Sequence, residues 1–175
     1  MSKTFAELIS TLDSSKMKKV AVAVAQDSAV IEAVRADKDR KIADAILVGD
    51  EAKFKAIAEE ISIDISDFTI INKEDVTEAA LTAVKLVHDG EADMYMKGII
   101  DTKGFLKSVL DKEVGLRTGK PLSHVCVFDI KGIDHLLFLT DVAFMPYPTL
   151  EDKAAIISNT LQITKACGID NPKVA

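Results

Sequence analysis

The sequence predicts an α/β fold: a parallel layered sheet, followed by a mixed or antiparallel hairpin that starts a second lobe. Three observations predict it. Short β-branched runs alternate four times with amphipathic helical stretches, which is the pattern of successive β-to-α units joined by crossovers. Val20-Ala21-Val22-Ala23-Val24 is continuously apolar, as a strand covered on both faces requires. Beyond Pro121 the rhythm changes, because two strand patterns are separated only by residues 131–135, too few for a helical crossover.

The elements follow in order. Phe5 to Leu12 predicts an opening helix. After the first strand, Asp27 is placed to cap a helix running to about Asp37. Ala45 to Val48 is the second strand, Gly49-Asp50 a turn and cap, and Glu51 to Ile61 a helix. Phe68 to Ile71 is the third strand, and Glu74 to His88 a long helix with apolar residues at Val76, Ala80, Ala83, Val84 and Val87. Asp93 to Met96 is the fourth strand and ends in Lys97-Gly98, after which Thr102 can cap a helix carrying Phe105, Leu106, Val109 and Leu110. Leu122 to Ile130 and Leu136 to Thr140 then form the antiparallel hairpin. Met145 to Thr149 is a loop with two prolines, and Leu150 to Cys167 a helix ended by Gly168. Lys173-Val174-Ala175 has the form of an entry into a further strand, so the chain is expected to belong to something longer. The expected domains are residues 1–121, with four β-α units, and residues 122–175, the beginning of a truncated second domain.

Composition narrows the function. Hydrophobic residues make up 48% and charged residues 29%, the balance of a soluble globular protein. With no Trp, the core must come from Ile, Val, Leu and Ala. No apolar run approaches the roughly 18–20 residues needed to cross a bilayer, and the amino terminus lacks a signal-peptide core. A cytoplasmic protein is expected, without membrane partners. A net charge of −6 argues against nucleic acid, which needs a clustered basic face. Cys126 and Cys167 occur in no metal-binding spacing and are expected as small core residues, so neither a disulfide nor a metal is predicted.

Neither a G-x-G-x-x-G nor a Walker-type phosphate loop is present, and no nucleophile elbow accompanies a Ser/His/Asp order. What remains are polar groups at strand ends, where ligands bind in open α/β sheets. Lys97 and Gly98 with Thr102 can present a cation, close backbone and a helix N-terminus to an anion, or can be an ordinary strand–turn–helix junction. Arg117, between Gly115 and Gly119, can hold phosphate oxygens in a bidentate manner or belong to a solvated loop. Asp141 is an acid at a strand end that can also cap the following turn. His124 and His135 are expected to face each other across the hairpin in a structural role, and His88 to favour its helix dipole.

Together these segments resemble the phosphate butyryltransferase and phosphate acetyltransferase family, its amino-terminal portion and the butyryl type above all. Met96-Lys97-Gly98 with Thr102 and Phe105-Leu106 is similar to the family's fourth strand, loop and helix. Gly115-Leu116-Arg117-Thr118-Gly119 and Leu122-Ser123-His124-Val125 continue it, as do Leu137 to Asp141, Pro146, Pro148, Lys153 to Asn159 and Gly168 to Ala175. The resemblance implies two α/β domains similar to the isocitrate and isopropylmalate dehydrogenase fold, a cleft between them, and a homodimer or higher homo-oligomer. It implies exchange of a short-chain acyl group between acyl-CoA and inorganic phosphate, giving acyl phosphate and CoA. Coenzyme A is then a substrate, and no permanently bound cofactor is expected. Lys97, Gly98, Thr102 and Arg117 are the implied substrate-binding residues, with Ser123 and Asp141 as candidate cleft residues. No catalytic base can be named, because the family's later acidic residue and Ser-Arg pair are absent, so this portion alone is expected to be inactive. The alternatives are a phosphate acetyltransferase, a longer-chain acyl-phosphate synthase, and a non-catalytic acyl-CoA-binding regulatory module.

Overall fold

In the computed structural model, residues 4–13 and 15–175 are described. The elements run α1 (Phe5–Ser10), β1 (Lys18–Ala23), α2 (Ser28–Asp39), β2 (Ala43–Gly49), α3 (Glu51–Glu60), β3 (Thr69–Asn72) and α4 (Val76–His88). They continue with β4 (Met94–Lys97), α5 (Thr102–Val109), β5 (Cys126–Phe128), β6 (Leu137–Leu139) and α6 (Leu150–Ala166). Two compact units result: Asp13–Thr118, and Met1–Leu12 with Gly119–Ala175.

In the unit Asp13–Thr118 the strands form one parallel sheet, in the order β3-β2-β1-β4. The apolar run of β1 explains the layering. Ala21 and Ala23 point to one face, where Ile46, Val48 and the α4 residues Ala79, Ala80 and Ala83 pack. Val22 points to the other, against Leu47, Ile31 and Val34 of α2, and Phe54 and Ala58 of α3. Side chains alternate across a strand, so a run apolar at every position needs helices on both faces. The small residues Ala79, Ala80 and Ala83 set α4 down on the sheet.

Local chemistry sets the helix starts. Asp27, Asp50 and Asp75 each accept a backbone N–H from three residues on, at 3.2, 3.1 and 2.9 Å. At α5 the cap is Asp101, whose Oδ1 accepts from Gly104 N–H at 2.6 Å, while Thr102 is the first helical residue. The expectation of a Thr102 cap is corrected by one position, because the carboxylate of Asp101 reaches the free amide first.

The other unit contains the hairpin. β5 and β6 pair antiparallel with Cys126 opposite Leu139, and α6 starts with a capping box between Thr149 and Asp152. Extending that register places His124 opposite Asp141, so the expected His124–His135 pairing is corrected. The Asp134 carboxylate instead lies 3.0 Å from the His135 ring. The strands are shorter than expected. Residues 122–125 carry no strand, and 173–175 carry none either. Helix α1 belongs to this unit rather than to the sheet domain, and its Phe5 N–H donates to Asp129 at 2.9 Å. Both cysteines are only half-buried, so neither is the core residue expected.

Candidate functional site

In an open parallel sheet, ligands bind beyond the carboxyl ends of the strands where the strand order reverses. Here the chain runs outward from β1 through β2 to β3, then returns to the other side of β1 as β4. The switch point therefore lies at the ends of β1 and β4, where Lys97, Gly98 and Thr102 are found.

The two strand ends are bound tightly. Gly98 N–H donates to the Ala23 carbonyl at 2.7 Å, and Ile99 N–H to the Val24 carbonyl at 3.1 Å. A Cβ on Gly98 would stand 2.2 Å from the Val24 carbonyl oxygen, so glycine is needed for contact between the strands themselves. Val24 takes φ +56°, a left-handed conformation unfavourable for a β-branched residue. Gln26, two residues on, has a buried Oε1 with no partner among the described residues. No motif marked Gln26, because a lone amide after a strand carries no spacing signal.

The exposed Lys97 donates from Nζ to the Ile100 carbonyl at 3.1 Å, so its ammonium is folded over the turn that opens α5. The α5 N-terminus carries the Asp101 carboxylate, which satisfies one free amide and offsets part of the positive dipole. Further along this unit, the His88 ring Nδ1 donates to the Gly115 carbonyl at 3.0 Å. A carbonyl can only accept, which fixes the tautomer. Gly115 is pressed into its turn, since a Cβ would lie 2.4 Å from the Asp111 carbonyl oxygen. Arg117 is exposed, and its guanidinium has no hydrogen-bond or ion-pair partner among the described residues.

Ser123 and Asp141 lie in the other unit. Asp141 is spent on backbone: Oδ1 accepts from His124 N–H at 2.6 Å, and Oδ2 from Phe144 and Met145 N–H at 2.9 and 2.6 Å. Burial pushes its carboxyl up, but these amides and that of Ala143 outweigh burial and hold it below the ordinary carboxylate range. A carboxylate so engaged is a brace for the loop after β6, and a poor proton acceptor. Ser123 is half-buried, and its Oγ accepts from the Asn159 side chain of α6 at 2.9 Å. The described residues contain no cluster able to hold a metal ion, and no helix among them is long and apolar enough to cross a membrane. A groove of about 570 Å³ runs along α3 and β3, lined by Glu51, Lys55, Phe68 and Ile70 among others. It contains none of the site residues.

A parallel sheet with helices on both faces defines a protein of the layered α/β class. Within that class, the sequence profile of phosphate acetyl/butaryl transferases matches residues 4–80 and 71–175, and the chain belongs to this family. It is 57% identical over its full length to a phosphate butyryltransferase of Clostridium acetobutylicum, and spans 58% of that protein. It is 36% identical over 171 residues to a phosphate acetyltransferase of Thermotoga maritima, 98% of this chain and 58% of that protein. A phosphotransacetylase structure from Staphylococcus aureus matches 97% of this chain and 60% of its own length, with a TM-score of 0.76 at 22% identity. A branched-chain phosphotransacylase from Enterococcus faecalis matches 85% of this chain and 51% of its own, with a TM-score of 0.69 at 24% identity. These two structures share the fold.

Proposed function

We propose that the chain is the amino-terminal portion of a phosphate acyltransferase of the butyryl type. The enzyme exchanges a short-chain acyl group between acyl-CoA and inorganic phosphate. The observation that carries this reading is the 57% identity to a phosphate butyryltransferase, against 36% to a phosphate acetyltransferase. A phosphate oxygen attacks the thioester carbonyl, the C–S bond breaks, and CoA leaves as a thiolate that takes up a proton. The reverse reaction runs through attack of that thiolate on the acyl phosphate. Coenzyme A is a substrate throughout, with no permanently bound cofactor.

The proposal gives Lys97, Gly98, Thr102 and Arg117 to substrate binding in the sheet unit, and Ser123 to substrate contact in the hairpin unit. Asp141 supports the loop beside it. The reading extends to a first domain that ends near residue 121, without α1, and the start of a second domain over 122–175. It extends also to a fold akin to isocitrate dehydrogenase, a homo-oligomer, and a cytoplasmic location. Because the chain spans 58% of the butyryltransferase it matches, residues 1–175 alone are expected to bind CoA weakly and to turn over none.

Following thiol release from butyryl-CoA with and without phosphate tests the reading. The full-length protein should release CoA only when phosphate is present. Release independent of phosphate, or faster release from acetyl-CoA, overturns the butyryltransferase assignment. Replacing Arg117 by Ala should cost about 1.5–3 kcal/mol in kcat/KM, the range for a hydrogen bond to a charged group.

A further inference from the structure

The amide of Asn159 fixes the hydrogen-bonding direction of a hydroxyl. Its Nδ2 donates to the Pro121 carbonyl at 3.1 Å and to Ser123 Oγ at 2.9 Å. The Pro121 contact settles which way round the amide lies, since turning it over would set two acceptor oxygens against each other. Both amide protons are then used, one on each partner. Ser123 Oγ is the acceptor in its bond, so the Ser123 proton is not directed at Asn159. Among the described residues nothing accepts that proton. Ser123 and Asn159 are both half-buried, and they stand 36 residues apart in sequence. A hydroxyl that accepts here keeps its one proton to donate elsewhere, which suits an anionic oxygen or one that gains charge during reaction.

We propose that Asn159 is a positioning residue that makes Ser123 a hydrogen-bond donor to a phosphate oxygen of the inorganic phosphate or acyl phosphate. The inference rests on the acyltransferase reading above. Asn159→Asp is its sharpest probe. A carboxylate has no proton to give, so Ser123 would donate to it and be withdrawn from the ligand, in a side chain of nearly the same shape.

The test measures KM for phosphate, KM for butyryl-CoA, kcat and melting temperature in the full-length protein. The variants are Ser123→Ala, Asn159→Asp, Asn159→Ala and the double alanine. Ser123→Ala and Asn159→Asp should each lower kcat/KM for phosphate about tenfold to a hundredfold, with KM for butyryl-CoA nearly unchanged. The double alanine should be no worse than Ser123→Ala alone, because Asn159 acts through that hydroxyl. A residue that only tacks the 121–123 loop to α6 would instead lower melting temperature in step with activity and add its effect to that of Ser123→Ala. Additive losses, or full activity in Ser123→Ala, overturn the inference while leaving the acyltransferase reading intact. A parent protein that releases no CoA overturns that reading first, and the inference with it.

Discussion

The two units are built on different terms. In Asp13–Thr118 a four-stranded sheet lies between helices, and β1, β2, α2, α3 and α4 all contribute fully buried side chains. In the unit formed by the amino-terminal segment and Gly119–Ala175, the buried hydrophobic residues among those described are Leu136, Ile156 and Ile169. Its hairpin strands leave Phe128, Leu137 and Leu139 exposed, and α6 leaves Leu150, Ile157 and Leu161 exposed. What orders this second unit is polar: the Asp141 brace, the Thr149–Asp152 capping box and the Asn159 bonds. The sheet unit is held mainly by buried apolar area. The hairpin unit has little of it and leans on directed hydrogen bonds.

The largest expected effect sets the two cores against each other. Phe54 is fully buried against α2 and the sheet, so Phe54→Ala should cost about 3–5 kcal/mol in denaturant unfolding. Ile156→Ala removes one of few buried apolar groups from a site with room to relax, and should cost about 2 kcal/mol, the low end for such truncations. Equal losses would mean that the hairpin unit has a core as firm as the sheet's.

Gly98→Ala comes next. Its Cβ would meet the Val24 carbonyl at 2.2 Å and that of Ala23 at 2.9 Å, both backbone, so relief requires the β1 and β4 ends to part. Overpacking of this kind costs about 1–3 kcal/mol. A stability within 0.5 kcal/mol of the parent (roughly the scatter of neutral surface changes) would show that the strand ends yield.

Asp141 tests the polar half of the comparison. Its folded carboxyl titrates below the ordinary Asp value near 3.9, so the fold binds the ionised form more tightly. That stabilisation is complete above about pH 4 and is lost as pH falls through the folded value. Asp141→Asn keeps one acceptor and adds two donors beside backbone amides, and should cost about 1–3 kcal/mol at neutral pH. It should also flatten the acid side of the stability profile of this unit. An unchanged acid slope in Asp141→Asn would assign the pH dependence to other carboxylates.

The same contrast explains what was legible in the sequence. The sheet unit was readable because burial on both faces forces an unbroken apolar run such as Val20 to Val24, and because Asp27 and Asp50 announce their helices. The hairpin was readable from the short connection between its strands, whereas its register was not. A slip of a few residues decides whether His124 meets His135 or Asp141, and turn geometry alone settles it. Asn159 closes one of the segments that carry the resemblance but shows no role there, since a polar residue inside a 17-residue helix looks like any solvated position until Ser123 is found beside it. The Thr102 cap failed because Asp101 and Thr102 are both good caps, and sequence cannot choose between adjacent ones.

That last ambiguity gives the smallest effect and a sharp test of the switch point. Asp and Asn are near-equal N-caps, since either side chain offers an oxygen to the amide three residues on. Asp101→Asn should therefore keep the bond to Gly104 and change stability by no more than about 0.5 kcal/mol, the helix dipole losing a favourable charge. Its effect on an anion differs in kind. The carboxylate repels any phosphate group brought to the first turn of α5, so its removal should lower KM for phosphate or for CoA a few-fold in the full-length protein. The gain should fade as salt screens the charge. A loss of more than 1 kcal/mol would show Asp101 to be more than an interchangeable cap (the typical cost of losing a cap altogether is about that). Unchanged KM values for both substrates at low salt would remove the α5 N-terminus, and Thr102 with it, from the binding site.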